Sequence, residues 1–171
     1  MVIALIGGGA RSGKSRFALE YAERRFVRPV FVATAQALDD EMRLRIANHR
    51  AERGPRWSTI EEPLALGAAM RENSARFDGF LVDCLTLWLS NLLMDEREDA
   101  EGACEALISE LVAGPPCVLV SNEVGCGIVP ENPLARRFRD LAGALNRRAA
   151  AAAEEVYWMA FGIAMPVKVR K

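Results

Sequence analysis

Gly8-Gly9-Ala10-Arg11-Ser12-Gly13-Lys14-Ser15 is the stretch whose reading decides the fold. It meets the spacing G-x-x-x-x-G-K-[ST], which average residue frequencies give roughly a one-in-a-hundred chance of arising in a chain of this length. Its neighbours sharpen it. Residues 2–6 are a continuous apolar run that reads as a buried strand, and residues 15–26 carry Phe17, Ala18, Tyr21 and Ala22 at helical spacing. A glycine loop between strand and helix lets backbone N–H groups converge on phosphate oxygens, and the positive end of the helix favours the same charge. In that geometry Lys14 reaches the β and γ phosphates of a nucleotide, and Ser15 offers its hydroxyl to Mg²⁺.

Outward from this loop, strands and helices alternate. Residues 30–34 read as a second strand and 38–53 as a charged helix with Leu38, Met42 and Ile46 as its buried stripe. Residues 57–60 suggest a short strand, 63–74 a helix with Pro63 in its first turn, and 79–83 a strand ending on Asp83. Helices over 85–94 and 99–112 follow, the second stopped by Gly114-Pro115-Pro116 before a strand at 117–121. A Gly- and Pro-rich loop over 122–133 leads to a long helix at 134–153, and 156–161 and 167–169 close the chain as strands. This pattern implies an α/β fold with a mainly parallel sheet covered by helices on both faces. Residues 1–171 read as one nucleotide-binding catalytic domain, without repeat or linker.

Composition narrows the classes. With 51% hydrophobic and 26% charged residues the chain matches soluble globular averages, which argues against disorder. A net charge of -1 lacks the basic footprint of a dedicated nucleic-acid binder. Cys84, Cys104, Cys117 and Cys126 show no CxxC spacing, so reduced thiols in a cytoplasmic protein are expected rather than a zinc or redox site. No apolar stretch approaches the roughly 20 residues needed to span a bilayer, and the first one is too short for a secretory core.

Two further features carry chemistry. A phosphate loop works with a carboxylate at the end of a neighbouring buried strand, and Asp83 is that candidate, although an aspartate there can equally cap the helix that follows. On the helix over 38–53, Glu41, Arg45, His49 and Arg53 recur every fourth residue, placing the sole histidine of the chain between guanidiniums. Such a face is ordinarily solvated and held by ion pairs. Here its start lies at the carboxyl edge of the sheet, where ligands bind in open α/β folds, and arginines could hold phosphates while a neutral imidazole attacks the α phosphorus. Trp57, Trp88 and Trp158 are read as core or interface aromatics. Asn122 and Glu123 end a strand near the expected site, with loop capping as the alternative to a substrate or interface role.

Taken together, the residues resemble the bifunctional adenosylcobinamide kinase and adenosylcobinamide-phosphate guanylyltransferase family of cobalamin biosynthesis. The likeness runs through the glycine loop, Ala33-Thr34, Asp39-Asp40-Glu41-Met42, Arg45-Ile46, His49-Arg50, Trp57 and Glu61-Glu62-Pro63. It continues through Asp83-Cys84-Leu85-Thr86, Asn91-Leu92-Leu93, Ser121-Asn122-Glu123-Val124-Gly125, Gly127-Ile128-Val129-Pro130-Glu131-Asn132 and the run from Ala135 to Gly143. The resemblance implies phosphorylation of adenosylcobinamide by ATP or GTP, then GMP transfer from GTP with release of pyrophosphate. It makes His49 the carrier of GMP. The nucleotide-binding set it implies is Gly8, Gly9, Ala10, Arg11, Ser12, Gly13, Lys14, Ser15, Ala33, Thr34, Arg50, Ala51, Glu52, Arg53, Glu61 and Asp83, with Ser15 and Asp83 on Mg²⁺. It further implies a recombinase-type ATPase-like P-loop sheet and a homotrimer. The chain departs from the family pattern at Arg53-Gly54-Pro55, where Arg-Pro is more usual, and at Ala144 and Arg147, which replace Arg and Gln.

Other readings compete from the residues alone. An unrelated small-molecule P-loop kinase leaves the histidine helix without a role. A GTP-binding switch requires an Asn-Lys-x-Asp motif after a strand, where this chain has Asn122-Glu123-Val124-Gly125. A binding-only recombinase-like module predicts salt-dependent DNA binding, against which the near-neutral charge argues.

Overall fold

Strands and helices alternate through the computed structural model, which describes residues 1–95 and 99–169, and of Arg45 and Glu52 the backbone only. The elements are β1 (Val2–Gly8), α1 (Lys14–Arg25), β2 (Pro29–Ala33), α2 (Asp40–Arg53), β3 (Ser58–Glu61), α3 (Leu66–Glu72) and β4 (Gly79–Asp83). They continue as α4 (Leu85–Met94), α5 (Ala100–Ala113), β5 (Cys117–Asn122), α6 (Pro133–Ala152), β6 (Glu155–Ala160) and β7 (Ile163–Lys168). One seven-stranded sheet has the order β3-β2-β4-β5-β1-β6-β7. Every pairing is parallel except that of β6 with β7.

Period-two alternation divides the apolar side chains between two cores. Val30, Val32, Phe80, Val82, Cys117 and Leu119 face the layer of α3, α4, α5 and α6, where Trp88, Leu89, Leu107 and Leu145 are buried. Phe31, Leu81, Val118 and Val120 face the other way, onto Ala18, Tyr21 and Ala22 of α1. In β1, Val2 and Leu5 join the first core and Ala4 and Ile6 the second, the parity changing at the irregularity between Val2 and Ala4. The expected class, a P-loop-like α/β fold with helices on both faces, is the class found. Neither core takes a residue from α2 among the described side chains.

Three elements begin elsewhere than the sequence pattern predicts, each for a local physical reason. Helix α2 starts at Asp40 because the Asp39 carboxylate accepts the Met42 N–H at 2.7 Å and caps it. Leu38 therefore precedes the helix, and at 78% exposed it is no part of a buried stripe. Gly54, the residue that departs from the family pattern, ends α2 with φ 70. Helix α3 starts later than Pro63 because the Glu62 carboxylate takes the N–H groups of Leu64 and Ala65 in a preceding turn. Strand β7 begins well before residue 167. Phe161 and Gly162, with φ 53 and 81, turn the chain sharply after β6, and Pro166 is tolerated on an edge strand. Trp57 and Trp88 are buried, their indole N–H groups donating to Glu23 and to the Leu64 carbonyl.

Candidate active site

Three connected regions meet at the carboxyl ends of the strands. The first is the loop from Gly8 to Ser15. Gly8 (φ 148) has no room for a side chain, since a Cβ would lie 2.5 Å from the Met159 carbonyl, and Gly13 (φ 93) takes the left-handed position at the start of α1. Arg11 is also left-handed, with φ 53. Alternating backbone hands of this kind turn N–H groups toward one concavity, and α1 has no acidic residue in its first turn to compete with an anion. The far wall is the β6–β7 turn, where the Gly162 N–H donates to the Ser12 carbonyl at 3.2 Å. Lys14 is buried, its ammonium donating to the Gly9 carbonyl and lying 3.4 Å from the Ser12 hydroxyl. Burial lowers its pKa, opposed by Cys84 and Asp83.

The second region is the end of β4. Burial raises the pKa of Asp83, while a hydrogen bond from Ser15 and the nearby His49, Lys14 and Arg53 favour its ionised form. The capping alternative is not what the structure shows: Cys84 holds the N-cap position of α4, with no side-chain cap bond. The Asp83–Cys84 peptide is cis. Burial pushes the thiols of Cys84 and Cys117 up to about 12, which removes them as nucleophiles near neutral pH.

The third region is α2. Phe31, Ala33, Met42, Ile46, His49, Arg50, Arg53, Asp83 and Leu87 line one cavity. The apolar stripe and the histidine-bearing side are thus a single face: at 3.6 residues per turn, positions 42, 46, 49 and 53 fall within about 60° of arc. His49 is half-buried there rather than on a solvated flank. Arg53 is buried, its guanidinium 3.9 Å from the centroid of the Phe31 ring, and burial lowers its pKa. Arg50 pairs with Glu61, and both also line an adjoining groove with Ala35, Gln36 and Pro63.

The sequence-derived set is therefore brought together in large part. Ser15, Lys14, Asp83, His49 and Arg53 converge, and Ala33, Arg50 and Glu61 continue the same cleft. Two members stand apart. Ala51 is exposed and lines neither cavity. The Thr34 hydroxyl is buried and spent on the fold, donating to the Cys84 carbonyl at 2.9 Å and accepting its N–H at 2.8 Å. The side chains of Glu52 and Arg45 lie outside the described residues.

Behind the site lies a polar scaffold of Asn91, Thr86 and Ser121, which the family likeness marks without a role, and Asn146, which it does not mark. Asn91 donates to the carbonyls of Thr34 and Pro63, and Thr86, Ser121 and Asn146 form a linked set beneath the end of β5. Polar residues inside otherwise apolar helical stripes were the available signal. Among the described residues no group of three His, Cys, Asp or Glu side chains could hold a metal ion. The adjacent oxygens of Ser15 and Asp83 still suit Mg²⁺, which takes few protein ligands and completes its shell with phosphate and water. Among the described residues no helix is long and apolar enough to cross a membrane.

Comparison with known proteins gives three findings. The family described as cobinamide kinase / cobinamide phosphate guanyltransferase matches residues 4–167. The bifunctional adenosylcobalamin biosynthesis protein CobP of Pseudomonas aeruginosa is 48% identical over 166 residues, covering 96% of each chain, and CobU of Escherichia coli is 40% identical over 182 residues, covering 98% of this chain and 100% of its own. Among solved structures, the flagellar accessory protein FlaH of Methanocaldococcus jannaschii superposes with a TM-score of 0.52 at 12% identity, over 98% of this chain and 78% of that one, a likeness of fold alone.

Proposed function

Because the chain belongs to the cobinamide kinase / cobinamide phosphate guanyltransferase family, we propose that it phosphorylates adenosylcobinamide with ATP or GTP and then transfers GMP from GTP to that phosphate through a guanylyl-histidine on His49. The observation that carries this reading is the position of Asp83, which accepts from Ser15 of the cradle and stands beside His49 of α2. One bound triphosphate can then present its γ phosphorus to an acceptor and its α phosphorus to the imidazole.

In the kinase step the side-chain hydroxyl of the corrinoid attacks the γ phosphorus in line, the bond to the β–γ bridging oxygen breaks, and the nucleoside diphosphate leaves. Lys14 and the amides of the loop offset charge on the transferred group. In the transferase step the His49 imidazole forms a P–N bond at the α phosphorus while pyrophosphate leaves. An oxygen of adenosylcobinamide phosphate then displaces the imidazole, giving adenosylcobinamide-GDP and the free histidine. Ser15 and Asp83 would hold Mg²⁺, which when bound would supply positive charge to the phosphates. Arg50 and Arg53 bring guanidinium donors to phosphate oxygens. Glu61, which lines the adjoining groove, offers a carboxylate to the N1–H and 2-amino group of guanine, two donors that adenine does not have.

The reading extends to a cytoplasmic homotrimer. Phe161, Ile163, Met165 and Val167 are exposed along the β6–β7 edge, an apolar surface suited to a neighbouring copy. Sedimentation equilibrium should give three times the chain mass. The activity is tested by incubating the protein with adenosylcobinamide and GTP labelled at either the γ or the α phosphorus. The γ label should enter the corrinoid first and the α label only after it. Transfer of γ label alone would make the chain a kinase only.

A further inference from the structure

The polar scaffold under the sheet edge holds one residue that the two reactions above leave without a task. Strand β5 lies between β1 and β4, so its carboxyl end comes up between the cradle and Asp83. Register places Asn122 beside Gly8, and Val120 beside Asp83. Ile6, Leu81 and Val120 all belong to the core under α1. Two residues further along each strand, Gly8, Asp83 and Asn122 therefore open onto that same face.

The backbone of Asn122 is clamped from the opposite face. Its N–H donates to the Thr86 hydroxyl at 2.7 Å, and its carbonyl accepts from the Asn146 amide at 3.1 Å. Ser121 completes the clamp, donating to Asn146 Oδ1 at 2.6 Å and lying 3.3 Å from the Thr86 hydroxyl. The next residue extends the attachment to the cradle, the Glu123 N–H donating to the Gly8 carbonyl at 3.0 Å. In contrast with this anchored backbone, among the described residues the hydrogen-bond partner of the Asn122 carboxamide is the Cys84 thiol, Nδ2 to Sγ at 3.9 Å, a weak acceptor. The Glu123 carboxylate is turned instead to the Gly125 N–H.

A neutral donor at the end of the strand that lies between the cradle strand and that of Asp83 is suited to an oxygen that gains charge as a phosphoryl group transfers. We infer that Asn122 is a catalytic residue of the kinase step, its carboxamide N–H donating to an oxygen of the γ-phosphoryl group. The inference rests on the kinase reading above and adds to it the group that distinguishes a triphosphate from a diphosphate.

The test uses the intact chain as wild type, Asn122→Ala and Asn122→Asp. ATP and ADP compete against a fluorescent nucleotide, and phosphoryl transfer to adenosylcobinamide is measured at saturating ATP. The clamp uses backbone atoms of Asn122, so both variants retain it. Wild type should bind ATP more tightly than ADP. Asn122→Ala should reduce that preference about tenfold with ADP affinity unchanged, and lower kcat about 10²-fold, as for removal of one oxyanion donor. Asn122→Asp should lose more, because it sets a carboxylate against the phosphate. A wild-type preference retained in Asn122→Ala, equal weakening of ATP and ADP, or no preference in wild type overturns the assignment. If the preference collapses as expected but wild type phosphorylates no adenosylcobinamide, the assignment of Asn122 stands and the acceptor proposed above is wrong.

Discussion

The cradle and the histidine helix approach the same cleft from opposite sides and are held in different ways. Residues 8–15 leave the centre of the sheet and enter α1, whose Ala18, Tyr21 and Ala22 are in the core, and the loop is attached to β5 through Gly8 and to the β6–β7 turn through Ser12. Helix α2 gives neither core a residue among its described side chains. It rests on the sheet through the Arg53–Phe31 stack, the Arg50–Glu61 pair and the half-buried Met42 and Ile46. A cradle that positions phosphates must resist displacement. A helix that carries a group between two substrates is better attached by few, partly exposed contacts, which cost less to rearrange.

The largest expected effect breaks the cradle chemically while sparing its frame. Lys14→Ala should lower kcat for corrinoid phosphorylation by about 10³-fold, while the thermal midpoint changes by no more than a few degrees. Steady-state kinetics with differential scanning calorimetry separates the two. Next, Leu89→Ala in the layer behind the sheet should cost about 3 kcal/mol, whereas Ile46→Ala in α2 should cost about 1 kcal/mol and still slow guanylylation several-fold. Equal costs in urea unfolding would remove the contrast drawn between the two regions. Gly8→Ala should destabilise by about 2 kcal/mol, because the new Cβ meets the Met159 carbonyl in a strained backbone.

The smallest effect concerns the far end of α1, where Glu155 accepts from Tyr21, Tyr157 and Arg25. The hydrogen bond from Tyr157, then those from Arg25 and Tyr21, hold the Glu155 carboxyl below the ordinary glutamate range against the cost of its burial. A depressed carboxyl contributes stability that is complete above the unfolded value, about 4.3, and is lost as pH falls through the lower folded value. Glu155→Gln should remove about 1 kcal/mol at pH 7 and flatten the acid side of the stability curve. A variant with the wild-type acid limb would show that this tie carries no linkage.

The cradle could be read from the sequence because its determinants are local: glycines where backbone angles demand them, and a strand and helix of opposite period on either side. Helix α2 was legible in kind and misjudged in orientation. An apolar stripe and a histidine face read as two sides of the helix, whereas at 3.6 residues per turn Met42, Ile46, His49 and Arg53 share about 60° of arc and line one cavity. Thr34 shows another limit, since the family resemblance puts it in the nucleotide-binding set, while its hydroxyl is occupied by the Cys84 backbone. The place of Asn122 depends on strand order. Nothing local to residues 117–122 states that β5 is inserted between β1 and β4.

The central claim is that one nucleotide is held by the cradle and attacked from α2. It is tested most directly by mixing the protein with GTP labelled at the α phosphorus, denaturing it without acid, and measuring protein-bound label before and after acid treatment. Wild type should hold label that survives base and is released by acid, as a phosphoramidate is, and His49→Ala should hold none. Label that persists in His49→Ala would contradict the account.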